Sequence, residues 1–262
     1  VEAFSTLRIN HLRLTERSLT KARNVGIAAT TGDVVGFLDD DCVLESTYVA
    51  RIKAFFSTHP SALGVQGLIT NFAEGHKQKV GGHEWQYGLY QFFARVFLLN
   101  HGNTTNQLLL SGRNQYASDI TVVAPCEWLS GVGNYRRSVF SEFQFDEHLK
   151  GYAFGEDKLF SYPIQEKHPK TLFVDPSIRL THEHDPIGRP MGREWVEMKI
   201  TYTHYLWQKL LARKGLPALL AFWWANVGDM CTAFGAVLLG QQPVAFWQWH
   251  VQSYWRLVWQ KK

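Results

Sequence analysis

Val34-Val35-Gly36-Phe37-Leu38-Asp39-Asp40-Asp41 runs five uncharged, mostly apolar residues straight into three carboxylates. A short continuous apolar run predicts a strand buried on both faces of a parallel sheet. Ligands of open α/β sheets bind at the carboxyl ends of the strands, and here that end carries three adjacent negative charges. Like charges repel, and burying them without compensation is costly. A divalent cation is one remedy, because hard cations take oxygen ligands and can bridge to a phosphate. A solvated acidic loop is the other reading of the triplet taken alone.

Upstream, Leu7, Ile9, Leu12 and Leu14 alternate with polar residues and predict one or two short strands within residues 1–17. Ser18 can cap a helix, Leu19, Ala22, Val25 and Ala29 follow helical spacing, and Thr31-Gly32-Asp33 reads as a turn. That helix carries Arg23 and Asn24, which can reach a diphosphate or base from a strand end, or else form a solvated face. Downstream, a helix from about Ser46 places Tyr48, Ile52, Phe55 and Phe56 on one face and stops before Pro60; Ala62 to Thr70 reads as a strand. Helix, strand, helix, strand is the alternation of an α/β sheet.

Between residues 85 and 99, Trp85, Tyr87, Tyr90, Phe92, Phe93, Val96 and Phe97 form a dense aromatic patch that reads as a helix, either packed in the core or lying on lipid or a lipid-linked ligand, with Arg95 inside it. Thr104 to Ser118 reads as a polar loop. At Ala124 to Asn134 a strand passes into a glycine-rich turn, where glycine lets backbone approach a ligand closely. It is neither G-x-S-x-G nor a P-loop, which excludes a hydrolase elbow and an NTPase. Arg136 and Arg137 open the next helix. Gly155-Glu156-Asp157 places two carboxylates at a helix start, either for the helix dipole or as a general base. Leu172–Asp175 and Ile178–His182 suggest a strand pair, with Ile178, Leu180 and His182 on one face. His182, Glu183, His184 and Asp185 are four metal-capable residues in a row.

From Trp195 the character changes. Trp195 to Ala212 is amphipathic, Gly215 and Pro217 break it, and Leu216 to Leu239 is almost wholly apolar but for Asn226 and Asp229. Its length would span a bilayer, yet an interior Asp is expensive there, so an interfacial or re-entrant segment is preferred. Trp247, Trp249, Trp255 and Trp259, followed by Lys261 and Lys262, have the make-up of an interface anchor; a soluble helical cap is the competing reading.

Composition agrees with one large folded unit plus an appendage: 45% hydrophobic and 19% charged residues in 262 can bury a sizeable core and exclude general disorder. With 27 Lys and Arg against 23 Asp and Glu, the charge of +4 does not call for a nucleic-acid partner. The three widely spaced cysteines, Cys42, Cys126 and Cys231, make no disulfide framework or zinc spacing, so a reducing compartment is expected.

Taken together, Ala22 to Ile27, Phe37 to Asp41, Trp128 to Arg137, Phe145-Asp146-Glu147, Gly155 to Asp157 and the strand ending in His182 resemble glycosyltransferase family 2 over about residues 15–190. The resemblance implies a GT-A-like, Rossmann-like α/β domain over residues 1–190, with a mostly parallel sheet flanked by helices. A helical region at 191–262 associated with a membrane interface would follow it. It implies an inverting transferase, dependent on Mg²⁺ or Mn²⁺, that moves a sugar from a nucleotide-sugar donor to a lipid-linked or cell-surface glycan acceptor at the cytoplasmic face of the cell membrane. On these positions it implies Asp41, Asp39 and His182 (or His184) as metal ligands, and Arg23, Asn24, Asp39 and Asp40 on the donor side. Trp128, Gly131 and Glu156 fall on the acceptor side, with Asp157 as general base beside Glu156. Family members begin with a strand and helix that Val1–Thr20 does not supply, so the sequence reads as N-terminally incomplete. A nucleotide-sugar-binding module without chemistry, and a metal-dependent phosphotransferase or nuclease, are the other classes that these residue types allow.

Overall fold

The computed structural model describes residues 8–71, 84–100, 105–117, 120–183 and 189–259. Helix α1 (Leu19–Ala29) begins at Ser18, whose backbone is extended and whose side-chain oxygen accepts the Lys21 N–H. It leads into β1 (Val34–Gly36), the Asp39–Asp41 turn and β2 (Cys42–Leu44). Then come α2 (Tyr48–Thr58), β3 (Gly64–Ile69), α3 (Glu84–Val96) and the small hairpin β4 (Gln107–Leu108) and β5 (Asn114–Gln115). Strands β6 (Ala124–Pro125) and β7 (Asn134–Arg136), helix α4 (Glu156–Lys167) and strand β8 (Leu172–His182) complete the sheet layer. Three helices follow: α5 (Gly192–Leu210), α6 (Leu216–Leu238) and α7 (Val244–Trp259).

The α/β class expected from the alternation is observed, but the sheet is mixed rather than mostly parallel. Its order is β1-β7-β3-β8-β2, with β6 also on β8. Only β3 and β8 pair in parallel; the other described pairs are antiparallel. None of these antiparallel pairs in the sheet joins consecutive strands: β1 and β3 both meet β7, and β2 and β6 both meet β8, so direction is set by which distant segment each strand meets. Strand β1 lies at one end of the described order and is not buried on both faces: Val35 is buried, Gly36 exposed, and Leu38 just beyond it 48% exposed.

Two further expectations change. Residues 8–17 form no strand, and residues 1–7 lie outside the described residues. The segments expected as a strand pair at 172–182 are one strand, bent at a bulge: Gln66 faces Val174, but Leu68 faces Arg179. Asp175 Oδ1 accepts the Ser177 N–H and holds the bulge. Gly67 sits opposite, where an added Cβ would lie 2.3 Å from the Ile178 carbonyl oxygen. Because that neighbour is backbone, Gly67→Ala is expected to destabilise the fold by about 1–3 kcal/mol in chemical denaturation, the cost typical of overpacking.

Leu172 and Val174 pack with Tyr135, Phe145, Phe160 and Ile164 on one side of the sheet. Phe173, Ile178 and Leu180 pack with the α2 face of Tyr48, Ile52, Phe55 and Phe56 on the other, as its helical spacing predicted. Ile178, Leu180 and His182 are buried together by period two. The C-terminal helices join the sheet layer through Trp128, Tyr162, Leu206, Trp207, Leu211 and Phe222. Helix α6 turns Asp229 inward, where Arg113 Nη2 (2.7 Å) and the Tyr254 hydroxyl (2.9 Å) donate to it. Among the described residues no helix is long and apolar enough to cross a membrane. The residues 260–262, with their two lysines, lie outside the described residues.

Candidate active site

The Asp turn places the triplet by two pairings. The Cys42 N–H closes the turn on the Asp39 carbonyl oxygen at 3.2 Å, and β2 then pairs with the end of β8, Cys42 opposite His182. Asp41 Oδ1 therefore lies 2.8 Å from His182 Nε2, and Asp39 Oδ2 lies 3.8 Å from it. The Glu183 N–H donates to the Asp41 carbonyl oxygen and locks the two strand ends together.

These groups border a cavity of about 820 Å³, within the usual size of small-molecule sites. Of the expected residues, Arg23, Asp39, Asp40, Asp41, Gly131, Glu156, Asp157 and His182 line it. Two do not. Asn24 spends its amide on a strap: it donates to the Phe145 carbonyl and Glu147 Oε1 and accepts the Phe145 N–H. Trp128 is fully buried behind the wall, its ring 4.4 Å from Lys158 Nζ. The alternative ligand His184, with Asp185, lies outside the described residues.

Arg23 is the hub. Its guanidinium lies over the rings of Phe37 and Phe145 and donates to Glu156 Oε2 (2.7 Å) and the Gly131 carbonyl (3.2 Å), with Asp39 Oδ1 at 3.7 Å. An added Cβ on Gly131 would lie 3.0 Å from Arg23 Nη2, so a side chain there would press on the guanidinium. Gly155, with φ +87°, supplies the left-handed turn that starts α4 and carries Glu156 and Asp157 into the cavity wall.

The adjacent carboxylates have different partners. Asp157 Oδ1 accepts both the Lys158 N–H and Lys158 Nζ at 2.8 Å, and Oδ2 has no donor among the described residues. Burial pushes the Glu156 carboxyl up to about 8, with Asp157 adding to the rise and Arg23 opposing it. A raised carboxyl binds more protons in the folded than in the unfolded chain between about pH 4.5 and pH 8, so its contribution to stability falls as pH rises through that window. The melting temperature of the wild type relative to Glu156→Gln should therefore decline between pH 5 and pH 8; a pH-independent difference would remove this assignment.

Three residues here escaped the sequence reading. Lys158 is 3% exposed and held among Trp128, Tyr116 and Phe154; only its place beside Asp157 hinted at it. Arg189 Nη2 donates to Asp41 Oδ2 (2.9 Å), lies 3.2 Å from His182 Nε2, and comes from a segment with no local signal. Cys42 joins Asp41 and His182 in a group whose ligand atoms lie within 4.8 Å of one another. Burial pushes its thiol up to about 11, which makes it a poor partner for a hard cation. Asp41 and His182, with Asp39 beside them, are the oxygen and imidazole donors that suit one. Six acidic lining residues face four basic ones; with Glu156 mostly protonated near pH 7, five carboxylates against four cations still leave an excess of negative charge that a divalent cation would offset. Tyr152, Phe154 and Trp195 pack edge to face and give the cavity an aromatic wall.

The strand ends of the α/β sheet thus open on an acid-rich cavity, floored by a buried arginine and closed by a helix-start carboxylate pair. Residues 1–117, the part of the chain with α1 and the Asp triplet, match the family model described as Glycosyl transferase family 2. No curated protein matches the chain. Among solved structures, a mannosyltransferase from Pyrobaculum calidifontis in complex with GDP-Man and Mn²⁺ is similar over 100% of this chain and 72% of its own, at 12% identity and a TM-score of 0.49.

Proposed function

We propose that this chain transfers a sugar from a nucleotide-diphosphate sugar to a hydroxyl of a lipid-linked or cell-surface glycan acceptor, in one inverting displacement. The observation that carries the reading is the shared cavity: Asp39, Asp41 and His182 on one side, and on another an Asp157 whose Oδ1 is clamped by Lys158. Mg²⁺ or Mn²⁺ held by Asp41, His182 and Asp39 would offset charge on the departing diphosphate. Arg23 and Asp40 border the donor side, and Gly131 leaves room beside them. The acceptor oxygen attacks the anomeric carbon, the bond from that carbon to the diphosphate breaks, and the acceptor proton passes to Asp157 Oδ2. Glu156 holds Arg23 in place across the floor, and the wall of Tyr152, Phe154 and Trp195 offers flat apolar faces to sugar rings.

The cytoplasmic face of a membrane is the proposed location. Leu216, Leu220 and Trp224 on α6 and Trp255 and Trp259 on α7 are exposed, each at least 47%, and large exposed apolar surfaces mark interaction sites. With no described helix fit to span, these helices would lie on the bilayer. The test is transfer from UDP-, GDP- and dTDP-sugars to acceptors in vesicles, with product configuration read by NMR. Inversion at the anomeric carbon is expected; a product that retains the donor's configuration would overturn the single displacement.

A further inference from the structure

A second cavity, of about 450 Å³, lies between α3, α6 and α7, away from the carboxylates of the first. Its wall is mainly apolar, with Tyr90, Phe93, Phe97, Ala236, Leu239 and Phe246 as the main surfaces. One part is different: Lys199 of α5 lines it beside Asp229 and His250. Asp229 is already matched by Arg113 at 2.7 Å, and Lys199 Nζ stands 3.7 Å from it, beyond hydrogen-bond range. Burial holds the His250 imidazole below its usual range, which keeps it neutral near pH 7. Arg113 and Lys199 against Asp229 leave one surplus positive charge at that end.

The cavity also continues into exposed apolar surface. Leu89, Phe93 and Leu239 line it while remaining 42–55% exposed, and Phe92, Val96, Leu238 and Val244 on the same helices are exposed as well. An apolar cleft with a cationic end, set in an apolar surface, complements an amphiphile of matching polarity.

We propose that this cleft takes one hydrocarbon chain of an anionic lipid drawn from a bilayer, with the lipid's negative headgroup at Lys199. The proposal rests on the membrane reading above and gives that contact a specific lipid-chain site. It also accounts for an exposed Cys231 on the cleft wall, because a bound chain would shield the thiol.

The test uses that thiol. Alkylation of Cys231 by iodoacetamide is followed by peptide mass spectrometry on the full chain, alone and with phosphatidylcholine vesicles containing or lacking phosphatidylglycerol. A soluble arm uses oleate, or neutral oleyl alcohol, in place of vesicles. Phosphatidylglycerol vesicles and oleate should slow alkylation about tenfold at ten times their dissociation constants. Ala236→Trp, which fills the cleft, should abolish protection, and Lys199→Gln should weaken protection by oleate more than by oleyl alcohol. Vesicle binding with Cys231 unprotected would leave the membrane reading standing and overturn the cleft. Protection by oleate with no vesicle binding would overturn the bilayer as its source. Should Ala236→Trp fail to fold, a Lys199→Gln variant that loses no more protection by oleate than by oleyl alcohol, relative to wild type, would still overturn the headgroup assignment.

Discussion

Replacing Asp157 with Asn is expected to lower turnover by about 10²–10⁴-fold, the usual share of a general base, while nucleotide-sugar binding persists. Asn preserves the size and an oxygen for the Lys158 N–H, which now donates to Oδ1 at 2.8 Å. What it removes is the charge and the proton-accepting carboxylate. Of the proposed donor-side residues, Arg23 donates to Glu156 and Gly131, and Asp39 lies 3.7 Å from Arg23; neither contact runs through Asp157, so the binding half of the cavity should not move. Steady-state kinetics alongside donor titration separates the two effects. Wild-type turnover in Asp157→Asn would take the base role from this residue.

The second large effect lies far from the chemistry. Asp229→Asn should cost about 3–5 kcal/mol at pH 7, as expected when one partner of a buried ion pair is removed. Arg113 would be left facing only Asn226 Oδ1 (2.8 Å) and the Tyr254 hydroxyl (3.4 Å). The Asp229 carboxyl is held down at about 2: burial works to raise it, but Arg113, Lys199 and the Tyr254 hydroxyl outweigh that. A depressed carboxyl contributes stability that is present above its unfolded value, near 3.8, and is lost as pH falls through about 2. About 2 kcal/mol of the cost should therefore be absent at very low pH. Urea denaturation of wild type and variant at pH 7 and pH 3 reads the difference, which should narrow toward acid. Replacing the pair together, as Arg113→Met with Asp229→Leu, should recover most of the loss, because matched apolar residues can stand in for a buried pair.

Local patterns carried much of this architecture. Ser18 before an apolar-periodic stretch, the buried face of α2, the carboxylate pair at the start of α4 and the period-two face ending at His182 are written in spacings of a few residues. Strand direction was not legible, because it is set by which distant segment a strand meets; β7 enters between β1 and β3 from a hundred residues downstream of β1. The segments on either side of Ser177 read as a strand pair, whereas the bulge held by Asp175 and Ser177 carries β8 through as one strand. The same limit governs the site. Asp39, Asp41, Glu156 and Asp157 were visible as unusual clusters of charge, but a lone arginine at 189 or 113 shows its purpose only through partners that are distant in sequence. Asn24 shows the opposite error: its residue type fits a ligand contact, and its neighbour Phe145 takes that capacity for the fold.

The central claim is that one cavity holds a nucleotide diphosphate through a cation on Asp41, Asp39 and His182. Its most direct test is calorimetric titration of UDP, GDP and dTDP into the purified chain, with and without Mn²⁺, for wild type and Asp41→Ala. The account predicts that at least one nucleotide binds only when the metal is present and that Asp41→Ala abolishes this binding. Binding that is unchanged in Asp41→Ala, or no binding of any of the three by a folded chain with Mn²⁺, would contradict it.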